Sequence, residues 1–100
     1  MGTRRIGHIW DMLMAMPYVV YILRCADGTL YTGITNDLAR RFAQHKSGKA
    51  AAYTAAHPVK NIAYAEECAS RGAALKREAE IKSWDREKKL ALIVSAKKQR

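Results

Sequence analysis

At 100 residues, the chain has room for one compact domain with a modest core. Its 49% hydrophobic content argues against a disordered polyelectrolyte, and it has no apolar run of about 18 residues of the kind that crosses a membrane. Eighteen Lys plus Arg against nine Asp plus Glu give a formal charge of +9, the footprint of a protein that meets a polyanion, most often nucleic acid. Ribosome-type adhesion and solubility are the plainer uses of such charge.

Residues 1–16 carry Arg4 and Arg5, then Ile9, Trp10, Met12, Leu13 and Met14, broken by His8 and Asp11. This segment lacks the unbroken apolar stretch and small-residue cleavage site of a secretory signal, so it reads as an N-terminal extension beside the core. Met16-Pro17 directly before the first strand resembles a second start. Two cysteines, Cys25 and Cys68, are too few for a four-ligand zinc centre even with histidine help. Both read as small core-type residues, and the expected compartment is the reducing cytoplasm.

Residues 18–25 (YVVYILRC) are β-branched and aromatic on both faces, as in a central strand. Asp27-Gly28 supplies a turn and residues 30–35 (LYTGIT) the returning strand. Asn36 is the expected N-cap of a helix over 37–46 that stops at Ser47-Gly48. Residues 49–57 are alanine-rich and carry no decisive periodicity. Pro58 opens a third strand over 58–66, a helix runs from Ser70 or Arg71 to Ser83, and Asp85 caps a last helix with Leu90, Ile93 and Val94 inward. The order β-β-α-β-α-α predicts an α/β (α+β) fold, a small antiparallel sheet flanked by helices. One domain is expected over 17–94, with 95–100 as a basic tail.

Helix geometry separates neighbouring residues. At 100° per residue, Leu38 and Phe42 define the buried stripe of the first helix, with Arg41 and His45 together on one flank and Arg40 facing away. Arg41 could equally pair with a structural acid, and His45 could be a helix-end cation. On the following helix Ala74, Leu75, Ala79 and Ile81 are expected inward, and Glu78 falls in the middle of that arc while Glu80 lies opposite. A carboxylate on an apolar face needs compensation, here from Lys82, from Arg71 or from a metal ion.

The hairpin has two possible registers. A two-residue Asp27-Gly28 loop puts Tyr21 and Tyr31 on opposite faces, whereas a three-residue loop bulged at Gly28 puts both on one face together with Gly33. On that second face the bare strand at Gly33 would let a phosphate approach. The ordinary alternative makes both tyrosines core aromatics.

Taken together, these residues resemble the GIY-YIG nuclease superfamily. Val19-Val20-Tyr21 stands where the first motif has Gly-Ile-Tyr, and Tyr31-Thr32-Gly33 is the second. The spacing from Tyr31 through Arg41 to His45, and the helix Ala74-Leu-Lys-Arg-Glu78, complete the likeness over roughly 17–92. Gly48-Lys49 and Tyr53-Thr54 point to the small single-domain bacterial group, the UPF0213 type. No asparagine follows Asn61, unlike some homing and restriction members, and Ala55-Ala56 replaces basic residues of similar small proteins.

The resemblance implies a three-stranded antiparallel sheet and a single divalent metal, Mg2+ with Mn2+ as substitute, on Glu78. It implies catalysis by Tyr21, Tyr31, Arg41, His45 and Glu78, with one phenol as general base through water and Arg41 on the phosphate. Gly33, Arg40, Lys46, Lys49, Tyr53 and Thr54 are the expected phosphate or DNA contacts. The expected activity is hydrolysis of DNA, at branched, nicked or single-stranded sites, linked to repair or recombination and targeted by this domain or a protein partner. A catalytically silent nucleic-acid-binding module on the same basic surface is the alternative, and a protein-interaction domain with incidental charge is the third reading.

Overall fold

The computed structural model describes residues 17–98, so residues 1–16 and the last two positions of the basic tail lie outside the described residues. The elements are β1 (Tyr18–Cys25), β2 (Leu30–Thr35), α1 (Leu38–Lys46), α2 (Ala52–Ala56), β3 (Val59–Cys68), α3 (Arg71–Lys82) and α4 (Arg86–Lys98). The order is the expected one with a short helix added in 49–57. The three strands form one antiparallel sheet in the order β2-β1-β3, so β2 is an edge strand with a free side among the described residues.

The hairpin adopts the three-residue loop. Cys25 N–H donates to Thr29 O at 2.9 Å, which leaves Ala26, Asp27 and Gly28 as the loop. Gly28 sits at φ +88°, a left-handed conformation that glycine adopts without a Cβ penalty. Tyr21 therefore stands opposite Gly33 and Leu23 opposite Tyr31, which puts both phenols on one face.

Each face of the central strand has its own core. Val20 and Ile22 are fully buried against Ala74, Ile81 and Ile93 of α3 and α4. Tyr21, Leu23 and Cys25 pack with Val59 and with Leu38 and Phe42 of α1. This two-sided burial explains the unbroken apolar run of β1.

Several expectations at the helices are corrected. Asp37, not Asn36, caps α1: its carboxylate accepts the Arg40 N–H at 3.1 Å, because Thr35 Oγ1 accepts the Asp37 N–H and delays the helix by one residue. Ser70 and Asp85 cap α3 and α4. On α3 only Ala74 and Ile81 are buried; Leu75 is 39% exposed and Ala79 is exposed, since the contact stripe is a narrow one through 74, 78 and 81. On α4, Ile93 is buried and Leu90 half-buried, but Val94 faces solvent.

A polar network ties α3 to β3. Arg77 donates to both oxygens of Glu66 and to Glu80, and Tyr64 O–H donates to Glu66. Burial first, then its bond to Glu66, pushes the Tyr64 phenol up to about 12.

The turn makes a clean test. An alanine Cβ at Gly28 would have no atom within 4 Å, so Gly28→Ala should cost only the left-handed conformation. The expected loss is about 1–2 kcal/mol in urea unfolding, with no change in slope.

Candidate active site

Tyr21 is 2% exposed, and its ring lies over the bare backbone of Gly33. A Cβ built on Gly33 would come within 2.6 Å of Tyr21 Oη, 2.8 Å of its Cζ and 3.2 Å of Tyr31 Cε2. The space expected to admit a phosphate is therefore filled by the phenol. Gly33 serves the site by allowing Tyr21 to lie flat against the strand.

From that position the Tyr21 hydroxyl reaches His45 Nε2 at 2.8 Å. His45, expected on the flank of α1, is the buried residue of that helix at 2% exposure. Gly48 at φ +79° ends α1 and turns the chain back, with its N–H donating to His45 O at 3.0 Å. The chain then forms α2, whose Thr54 is 2% exposed and lies 2.7 Å from His45 Nδ1 through its Oγ1. This corrects the assignment of Thr54 to a phosphate: the buried hydroxyl is already occupied.

One tautomer of His45 satisfies every group in the network. In it Thr54 O–H donates to Ala51 O at 3.3 Å, and Thr54 Oγ1 accepts from His45 Nδ1–H. His45 Nε2 then carries a lone pair and accepts the Tyr21 O–H. Thr54, His45 and Tyr21 form one relay, and the ring of Tyr31 packs on His45 with centroids 5.0 Å apart.

Charges surround the relay. Burial, and then the nearby Arg41 charge, lower the His45 pKa and favour the neutral imidazole. The Tyr21 phenol is raised far above its ordinary value, first by burial and then by Tyr31, with Arg41 opposing and Glu78 adding to the rise. Arg41 and Glu78 thus both act on Tyr21 through their fields. Arg41 is half-buried, and among the described residues no carboxylate pairs with it.

Glu78 sits in the stripe between Ala74 and Ile81, and Lys82 compensates it with Nζ 3.1 Å from Oε2. Lys82 is 52% exposed, and an i,i+4 pair of that kind contributes only about 0.3–0.5 kcal/mol. Such a pair is easily displaced. Among the described residues no three His, Cys, Asp or Glu side chains converge. The donor set is one hard carboxylate, which suits an ion that keeps water and takes substrate phosphate oxygens.

Sequence reasoning missed a second aromatic chain. Tyr53 stacks between Tyr31 and His57, at centroid distances of 5.9 and 4.1 Å, and His57 Nδ1 lies 2.7 Å from Asp27 Oδ2 in the hairpin loop. No local pattern signals this contact, because its partners are 30 positions apart. Arg40, Lys46 and Lys49 stay outside the cluster on exposed surface, with Arg40 3.6 Å from Asp37.

Comparison with known proteins gives the family. The family model described as the GIY-YIG catalytic domain matches residues 17–91. The chain belongs to the GIY-YIG family. A UPF0213 protein of Natronomonas pharaonis is 45% identical over 80 residues, 80% of this chain and 94% of its own. One from Pseudomonas aeruginosa is 40% identical over 93% of this chain and 82% of its own. The solution NMR structure of a UPF0213 protein from Bacillus halodurans is 39% identical and superposes with a TM-score of 0.51, covering 78% of this chain and 83% of that one. The two GIY-YIG motifs thus face each other across adjacent strands, Tyr21 of the first lying on Gly33 of the second.

Gly33→Ala should cost about 1–3 kcal/mol in urea unfolding through overpacking. Gly72→Ala in α3, whose Cβ would meet nothing closer than 3.9 Å, should be neutral or stabilising.

The His45 shift has a definite sign in the stability profile. The folded imidazole binds its proton less readily than the unfolded one, so stability is full above about pH 6.5 and falls as pH drops through that value. Urea midpoints between pH 8 and 5 should show this loss. The slope should be shallower in His45→Gln.

Proposed function

We propose that this GIY-YIG protein is a divalent-metal-dependent endonuclease that hydrolyses DNA phosphodiester bonds. The observation that carries the reading is the relay from Thr54 through neutral His45 to Tyr21, beside Arg41. A buried tyrosine needs only one partner for its hydroxyl, yet here the partner is an imidazole with its acceptor nitrogen aimed at the phenol and its other nitrogen locked.

The chemistry then divides among the side chains. Tyr21 takes a proton from the attacking water while passing its own to His45 Nε2, which becomes imidazolium with Thr54 still accepting from Nδ1. In the ligand-free protein both pKa shifts hold the proton on Tyr21; the negative charge of a substrate phosphate beside His45 would favour the imidazolium that Arg41 opposes. Arg41 makes the Tyr21 phenol easier to ionise and meets the negative charge growing on the phosphate oxygens. Tyr31, packed on His45, orients the water or the phosphate. Glu78 would hold the metal, Mg2+ or in its place Mn2+, after parting from Lys82. When bound, that ion would neutralise the developing charge and lower the cost of ionising water. Branched, nicked or single-stranded DNA and a place in repair or recombination complete the reading, consistent with the basic charge.

A panel of labelled linear, flapped and branched DNAs, incubated with Mg2+ or Mn2+, tests the proposal. Wild type should cut, EDTA should stop it, and Glu78→Ala should abolish cutting while binding by fluorescence anisotropy persists or tightens. Tyr21→Phe should lose about 10²–10⁴-fold in rate. Binding without cleavage by wild type in either metal would leave a silent binding module instead.

A further inference from the structure

The free edge of β2 borders two adjoining depressions. One, of about 210 Å³, is lined by Leu30, Tyr31, Thr32, Tyr53, Lys82 and Lys89. The other, of about 190 Å³, shares Leu30 and Lys89 and continues past Thr29 to Arg86. Together they run from the catalytic Tyr31 to the foot of the hairpin loop. Three cations, Lys82, Arg86 and Lys89, converge on them from the end of α3 and the first turns of α4.

Two further observations point to a ligand. Thr32 is 4% exposed, and its Oγ1 has no hydrogen-bond partner among the described residues. An orphaned buried hydroxyl costs about 1–3 kcal/mol and is retained where something else satisfies it. The outer edge of β2 also presents backbone N–H and C=O groups that no strand among the described residues pairs. Hydroxyls, backbone amides, lysine and arginine are the donors that meet phosphate oxygens. Tyr53, 37% exposed and stacked on Tyr31, gives the start of the groove an aromatic wall.

Resting on the nuclease reading, we propose that this groove along β2 is the track for the phosphodiester backbone of the substrate strand as it leaves the reaction centre toward the hairpin loop. Lys82 stands at its entrance and has two anionic partners: Glu78 in the free protein and a backbone phosphate in the complex. Arg86 and Lys89 hold the phosphates beyond it. Thr32, buried in the groove wall, would donate its hydroxyl to the substrate strand by turning it outward.

The test is equilibrium binding of a fluorescein-labelled flapped duplex in EDTA, by anisotropy across a salt series. Arg86→Ala/Lys89→Ala leaves Lys82 and Glu78 untouched. The control, Lys60→Ala/Lys97→Ala, removes the same charge from β3 and from the far end of α4. Thermal melts confirm that each variant folds.

The groove variant should bind more weakly, with a salt slope shallower by about one for each cation removed, while the control keeps nearly the wild-type slope. Thr32→Val should weaken binding at every salt concentration. Equal losses in groove and control variants, or a Thr32→Val protein that is more stable and binds as wild type, would overturn the track while leaving the nuclease reading intact. Groove-specific binding by a wild type that cuts nothing with Mg2+ would keep the track and sink the nuclease. No binding by wild type would overturn both.

Discussion

Because Ala26, Asp27 and Gly28 form a three-residue loop, Tyr21 comes to lie across from Gly33 and its ring settles on bare backbone. That packing sets the height and direction of the phenol, and the rest of the site is built onto it. His45 receives the hydroxyl, Thr54 receives His45, and Tyr31 closes over the imidazole. A one-residue shift of the hairpin would send Tyr31 to the opposite face of the sheet. One left-handed glycine thus supports the register on which both motifs depend.

The sheet also separates two tasks. The face that packs α3 and α4 is apolar, with Ile22, Ile81 and Ile93 almost fully buried. The other face carries the polar relay among fewer apolar residues. Glu78 and Lys82 belong to a helix of the first face, yet the Glu78 charge is felt at Tyr21 and Lys82 lines the β2 groove beside Tyr31. The free edge strand lets both layers contribute to one region. A central strand, covered on both sides, could not.

Electrostatics in the free protein favours rest. Burial keeps His45 neutral and Tyr21 protonated, while the Glu78 charge is answered by an exposed lysine whose grip is weak. On the proposed function, each of these states would be altered by a ligand that carries phosphate together with a cation. The geometry of the site is thus set before any ligand arrives, and on the proposed function its relay would be conditional on substrate.

Some of this was determined by local sequence. The strand composition of residues 18–25, the Asp27-Gly28 turn, the stop at Gly48 and the helical spacing of Arg41 and His45 act over a few positions, and propensity and periodicity express them directly. The inward placement of Glu78 followed from helix geometry in the same way. Tertiary structure alone decided matters that depend on distant groups: the choice between two hairpin registers, the burial of His45 beneath α2, the use of Thr54 as its partner, and the stack from Tyr31 to His57 and Asp27. Leu75 and Val94 turned outward because the neighbouring layer, not the helix, sets how wide a buried stripe can be. Periodicity names the face that a helix can offer, but only packing determines how much of it is covered and which polar group beside it finds a partner.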